Sequence, residues 1–227
     1  MTKAFFEILR PGVNTTFQDQ GRKDLYHIGI PMSGAIDQRN HKLANKLVNN
    51  DLKDAVIEFA YQGPLLKLKN GEINFAITGD VFFNIIREGS KIEEGKCYKS
   101  YFLKDGDQID IVSSKDSVYG YLSIEGGFEI EKTWGSFSIN TKAEIGPNNG
   151  KKFFINEKIY LKNKNFNTAL NKKMDYKNIF DGIIRVIKST NYDYFSNEAK
   201  SIFFSQDYLV TKLADRMGMR LDGPSLQ

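Results

Sequence analysis

Between residues 55 and 124 the chain passes through seven short apolar or alternating stretches, at 55–61, 65–69, 73–78, 81–86, 98–103, 108–112 and 118–124. Runs this short exclude helices of ordinary length, and alternation sends successive side chains to opposite faces, as a strand requires. Asn70-Gly71 suits a tight hairpin, while Asp105-Gly106 and Gly126-Gly127 supply residues that tolerate positive φ. Strands at this spacing predict a mainly β fold, a barrel or sandwich. The 17 Phe and 11 Tyr agree, because aromatic residues favour pleated, half-buried surfaces.

Elsewhere, residues 4–9 read as a strand broken by Pro11-Gly12, and the polar, Gly-punctuated 13–34 reads as a loop or irregular edge. Over 37–49, Leu43, Ala44, Leu47 and Val48 share one helical face, and Asp37 is placed as the N-cap. The Lys/Asn-rich 161–178 has no apolar period and reads as a linker or excursion. Eight Lys against Glu157 and Asp175 over 151–177 read as a solvated connecting segment. A second unit follows, with a strand at 183–187, a short helix at 196–204 capped by Ser196, and a strand at 208–211. The expected organisation is therefore a first domain at 1–160, a linker at 161–178 and the start of a second domain at 179–227, too short for its own core.

A net charge of +4 with no long basic block argues against nucleic acid as a partner. One cysteine, Cys97, and two histidines, His27 and His41, leave no internal disulfide and no zinc ligand set, which fits a reducing cytoplasm. The opening MTKAFFEILRPG has no apolar export core, and no apolar run reaches membrane-spanning length, so neither export nor a membrane span is expected.

The densest group of functional side chains is PGVNTTFQDQGRKDLYHIGIPMSGAID, at 11–37. It holds Thr15, Thr16, Gln18, Asp19, Arg22, His27, Ser33 and Asp37 among glycines that let backbone N–H groups approach a ligand. Either these groups form an anion or carbonyl site, or they serve turns and loop backbone. A Ser33, His27 and Asp37 triad lacks the Gly-x-Ser-x-Gly elbow, and no Walker or dinucleotide loop occurs. His41, within the helix, reads as a surface or cap-adjacent residue, and Glu58 as an outward-facing strand residue. A second cluster, DRMGMRLDGP at 215–224, sets Arg216 and Arg220 beside Asp215. Its guanidinium groups offer a planar fork for a carboxylate, or an ion pair that holds a loop.

Taken in order, these clusters resemble one family. Arg10-Pro11-Gly12, the run from Thr15 through Thr16, Phe17, Gln18, Asp19, Gln20 and Gly21 to Arg22, and Gly29-Ile30-Pro31-Met32-Ser33-Gly34-Ala35-Ile36-Asp37 are similar to its PG, TTVQD-GR and G-V-x-x-SGAMD pattern. Ala44-Asn45-Lys46-Leu47-Val48, Glu58 with Gly63-Pro64, Ile77-Thr78-Gly79, Tyr121-Leu122-Ser123-Ile124-Glu125-Gly126-Gly127 and the 215–224 motif follow in the right order. The chain is thus identified as a member of the KipA/PxpC family of carboxyltransferase-domain proteins, which includes allophanate hydrolase subunit 2 and the PxpC component of 5-oxoprolinase. Two departures stand out. Gly135-Ser136-Phe137-Ser138-Ile139 replaces a GSRST pattern, and the chain ends before the family's late TTGGYP stretch, as though lacking the C-terminal third.

The resemblance implies a cyclophilin-like β-barrel domain with a short helix, followed by an incomplete second domain of the same type. It implies a subunit of an ATP-dependent 5-oxoprolinase-type complex, inactive alone, working with KipI/PxpB-like and PxpA-like partners on a small-molecule lactam. ATP acts at the level of the complex. The catalytic candidates are Ser33, Asp37 and Asp19. The substrate-binding candidates are Arg22, Thr15, Thr16, Gln18, Gly34, Ala35, Asp215, Arg216 and Arg220, with no metal. Alternatives are a KipA-like regulatory module antagonising a kinase inhibitor, and a carboxyltransferase component of a urea carboxylase/allophanate pathway. The latter needs biotin on a separate carrier, since no A-M-K-M motif occurs.

Overall fold

Phe6, Ile8, Leu66, Leu68, Phe83 and Ile109 pack into one apolar cluster with Phe17, Ile57, Phe75, Ile77, Leu103 and Leu122, and these two sets come from two different sheets. The computed structural model describes residues 3–162, 166, 168–176 and 181–226 and divides into two units, Met1–Tyr176 and Lys177–Gln227.

The first unit is mainly β. Its strands are β1 (Phe5–Arg10), β2 (Val13–Gln18), β3 (Val56–Ala60), β4 (Leu65–Lys69), β5 (Ile73–Thr78), β6 (Val81–Ile86), β7 (Ile92–Glu94), β8 (Ser100–Leu103), β9 (Gln108–Ser114), β10 (Tyr119–Ile124) and β11 (Lys158–Tyr160). One sheet has the order β11-β1-β4-β9-β6-β7, the other β2-β3-β10-β5-β8, and every pairing is antiparallel. Ring contacts cross the core, with Phe83 of one sheet 6.2 Å from Phe75 and 5.8 Å from Tyr101 of the other.

Helix α1 (Gln38–Leu47) lies on the outer face of the five-stranded sheet. Ala44 packs with Val56 and Tyr121, and Leu47 and Val48 pack with Ala76. This cover makes β3 and β5 buried along their whole length, which is why their sequences are mostly apolar rather than alternating, with Glu58, Asn74 and Thr78 buried among them. Asp37 is the N-cap, as the helical period and its side chain predict.

Several expectations are corrected. Of residues 13–34, read as a loop or irregular edge, Val13–Gln18 form β2, an edge strand of the five-stranded sheet with a register shift, which sends Phe17 into the core. Asn70-Gly71 closes no hairpin: β4 and β5 belong to different sheets, and this turn carries the chain from one to the other. β7 and β11 were not expected, being three residues each and too short to show a period. Glu58 and His41 are buried rather than exposed, Glu58 because α1 covers its face of the sheet and His41 because it stands on α1, which packs on that sheet. His41 Nε2 lies 2.8 Å from the Asp54 carbonyl oxygen, and burial draws its pKa down, so the ring is neutral.

Part of the expected linker at 161–178 falls on residues 163–165, 167 and 177–178, outside the described residues. Its described part pairs with the sheet edge: Ser100 N–H donates to Lys172 O at 2.9 Å and Met174 N–H to Tyr98 O at 2.9 Å. Leu170 and Met174 supply the apolar contact beside Leu47 and Val48.

The second unit holds helix α2 (Asn197–Ser205), with the Ser196 hydroxyl accepting from Ala199 N–H at 3.1 Å as its N-cap, and the hairpin of β12 (Leu209–Asp215) and β13 (Gly218–Asp222). The strand expected at 183–187 is absent and those residues have no regular structure. Among the described residues of this unit Ala199 alone is fully buried. Backbone hydrogen bonds under so little apolar cover open easily. Amide hydrogen exchange on the whole chain is expected to show β3, β5 and β10 as the slowest segments, with β12 and β13 at least a hundredfold faster. Equal protection in both units would contradict this packing account.

Candidate functional site

β2 delivers the chain to Asp19, whose carboxylate is buried against the 133–140 loop. Asp19 Oδ1 accepts from the Ser136 and Ser138 hydroxyls, each at 2.6 Å, and from Gly21 N–H at 2.8 Å; Oδ2 accepts from Phe137 N–H at 2.8 Å. The cluster closes on itself, with Asp19 N–H donating to Ser138 Oγ and Ser138 N–H to Ser136 Oγ, both at 3.0 Å. Burial, the largest single influence, pushes the Asp19 carboxyl up, but the four donors together outweigh it and hold the group below its ordinary value. At neutral pH it is an anion with no proton to exchange.

Arg22 is 2% exposed and ties two loops together. Its backbone N–H donates to Met32 O at 2.7 Å, its Nε to Thr133 O at 3.1 Å and its Nη2 to Ser138 O at 2.6 Å. Nη1 has no hydrogen-bond partner among the described residues. Burial draws the guanidinium pKa down and the Asp19 charge opposes this.

The SGAID segment is fixed by its own amides. Gly34, at φ +89°, passes so near the 20–21 backbone that a Cβ would lie 2.9 Å from Gln20 C, so only glycine fits. The next three N–H groups donate in turn: Ala35 to Asp19 O at 2.8 Å, Ile36 to Glu58 Oε2 at 2.9 Å and Asp37 to the Tyr121 hydroxyl at 2.8 Å. Glu58 and Tyr121 face each other across β3 and β10, and burial first, then the Glu58 charge, pushes the Tyr121 phenol up. Asp37 spends its carboxylate on the helix, accepting from Arg39 N–H at 2.9 Å and Asn40 N–H at 3.0 Å through Oδ1 and from Asn40 Nδ2 at 2.6 Å through Oδ2.

The fold therefore gathers Asp19, Arg22, Ser33, Gly34, Ala35 and Asp37 at one place. The Ala35 amide, expected to face substrate, is turned inward to Asp19. Ser33 Oγ accepts from Asn140 Nδ2 at 3.3 Å. Thr16 Oγ1 accepts from Gln18 Nε2 at 2.9 Å, and the same Nε2 lies 2.9 Å from Ile139 O; Thr15 is buried nearby on β2. His27 stands exposed on a short 3-10 turn, while the Asp37 carboxylate that a triad would need is engaged by α1. Asp215, Arg216 and Arg220 belong to the second unit, where Asp215 Oδ1 accepts from Met217 N–H at 2.7 Å in the hairpin turn and Arg220 is exposed. Among the described residues no group of three or more His, Cys, Asp or Glu is placed to hold a metal.

In the sequence Ser136, Ser138 and Tyr121 stand out only as positions of the family pattern, with no role at the site, and Asn140 not at all. The alternation Ser136-Phe137-Ser138 is the one available signal, since residues two apart on an extended segment share a face. Phe137, which stands where the family pattern has Arg, masks it.

Replacing Asp19 with Asn leaves buried donors imperfectly matched and is expected to cost about 3 kcal/mol at pH 7. Because the folded-state pKa is depressed, the wild-type advantage is complete above the unfolded value of about 3.9 and is lost as pH falls through the folded value. Urea unfolding of both proteins at neutral and acidic pH measures it; a gap that widens in acid would contradict the ionised assignment.

The model of the carboxyltransferase domain, subdomain A and B, matches residues 28–227. Urea amidolyase of Saccharomyces cerevisiae is 30% identical over 232 residues, covering 96% of this chain and 12% of its own length. A 5-oxoprolinase subunit of Haemophilus influenzae is 26% identical over 222 residues, covering 97% of this chain and 69% of its own. The solved Kluyveromyces lactis urea carboxylase shares the fold, with a TM-score of 0.82 at 24% identity over 100% of this chain and 21% of that one. The chain thus spans a small part of the urea amidolyase it matches and about two thirds of the 5-oxoprolinase subunit. With the family pattern running through the SGAID segment, the helix it caps and all that follows, this chain belongs to the carboxyltransferase-domain family, subdomains A and B.

Proposed function

We propose that this chain is a subunit of an ATP-dependent 5-oxoprolinase-type complex that opens 5-oxoproline to glutamate together with KipI/PxpB-like and PxpA-like subunits. The observation that carries this reading is mutual coverage. The alignment with the Haemophilus influenzae 5-oxoprolinase subunit takes in 97% of this chain and 69% of that protein. Ring opening adds water across the lactam C–N bond, the carbonyl carbon gaining the hydroxyl and the nitrogen the proton.

ATP does not fit the Asp19 cluster. Its carboxylate would repel phosphate, and the Arg22 Nε and Nη2 donors are committed to carbonyl oxygens. The nucleotide is assigned to a companion subunit. This chain's own part is to position substrate. The Ser33 hydroxyl and Asn140 amide are the polar groups beside the SGAID turn, and Arg22 Nη1 is the donor left for a substrate oxygen. Asp19, with no proton to give, acts by holding the 136–138 segment in place.

A second reading is favoured by the 30% identity to urea amidolyase: carboxyl transfer in a urea carboxylase pathway, with biotin on a separate carrier. The deciding experiment mixes this chain with the KipI/PxpB-like and PxpA-like proteins of the same source and measures glutamate released from 5-oxoproline, with and without ATP. ATP-dependent release that requires this chain is expected, falling at least tenfold with Ser33→Ala at an unchanged melting temperature and also with Arg22→Ala, which lowers the melting temperature because Thr133 O and Ser138 O lose their donor. No release from the wild-type mixture would overturn the reading. An Arg22→Ala chain with full activity would remove that residue from the site.

A further inference from the structure

Trp134 is the only tryptophan in the chain and stands at the tip of a two-residue turn. Thr133 N–H donates to Ser136 O at 2.9 Å and Ser136 N–H to Thr133 O at 3.3 Å, and both central residues have positive φ, +50° at Trp134 and +79° at Gly135. Turns of this hand select Asn or Asp before Gly, because a short polar side chain tolerates the left-handed backbone and a bulky one strains it. Trp134 is 57% exposed, so burial within this unit does not offset the strain. A large aromatic kept in a costly backbone conformation and left in water points to something that covers it.

The surroundings say what. Arg22 holds this turn beside the 26–36 segment, through its bonds to Thr133 O and Met32 O. On that segment Tyr26, Ile28, Met32 and Ile36 are also exposed. These five large apolar side chains are exposed on two loops that Arg22 joins, where singly scattered exposure would be ordinary. Trp, Tyr and Met are the residues enriched at interface centres. Both loops are preorganised by Arg22 and by the Asp19 cluster, so little ordering is lost on docking.

We propose that this patch docks a heterologous partner subunit, one presenting apolar side chains edged with carboxylates; this rests on the subunit reading above. Charge selects the occupant. Lys132 and Lys162 converge on the Phe137 ring beside the turn, with Nζ 5.1 Å and 5.6 Å from its centre, and neither forms an ion pair among the described residues. A second copy, with its own net charge of +4 and the same lysines, would add like charge, whereas an acidic rim would pair with them.

Trp134 emission reports on the patch directly. The whole chain is titrated with the KipI/PxpB-like and then the PxpA-like protein of the same source, at low and high salt. A blue shift with one of them, weaker at high salt, is expected. Met32→Glu, which keeps the probe, should weaken binding at least tenfold. Trp134→Asn, followed by calorimetry, should also weaken it at least tenfold while the melting temperature stays equal or rises, because Asn suits the turn. Phe82→Glu, exposed on the other sheet, should bind as wild type. A complex that forms with unshifted emission, or with full affinity in both patch variants, overturns the docking surface and leaves the subunit reading standing. Wild type that binds neither protein overturns both. A wild-type dimer that Met32→Glu dissociates assigns the patch to a second copy and overturns the heterologous partner.

Discussion

A carboxylate taken out of water must replace its hydration with donors at fixed positions, and Asp19 does so with two serine hydroxyls and two backbone amides. Those donors come from residues 21 and 136–138, far apart in sequence, so satisfying one anion joins the turn after β2 to a distant loop. Arg22 repeats the link through carbonyl oxygens of the same loop. Its place next to Asp19 also supplies a compensating charge within the buried cluster.

The SGAID segment depends on that arrangement at one end and on the five-stranded sheet at the other. Its amides reach the Asp19 carbonyl, then Glu58, then Tyr121, before the Asp37 carboxylate starts α1. The sheet, the helix and the candidate site are thus parts of one hydrogen-bonded chain. A change at Glu58 or Tyr121 reaches the site without touching any ligand. The inward turn of these amides also moves the candidate substrate groups outward, to Ser33 and Asn140.

Much of the first unit was legible because its physics is local. Short apolar runs gave strands whose limits agree closely with those at Leu65–Lys69, Ile73–Thr78 and Val81–Ile86. Asp37 and Ser196 were readable as caps because a cap needs only a short polar side chain ahead of an apolar period. β7 and β11 were not readable, because three-residue strands exist only through their partners. Glu58 and His41 were placed outside for the same reason: a strand or helix shows its period, but the layer that covers its second face belongs to another part of the chain.

From the sequence alone came the β class, the capped helix, the family and the neighbourhood of the candidate site, since residues 11–37 carry their functional groups close together. Tertiary structure alone decided which groups are spent and which remain. Ser136 and Ser138 acquire meaning only when the fold sets them on Asp19, and Ala35 loses its outward amide to the same residue. The reason is that a hydrogen-bonding group has few partners to give. Spacing along the chain shows which groups exist, and only the folded arrangement fixes which of them water, substrate or another subunit still finds open.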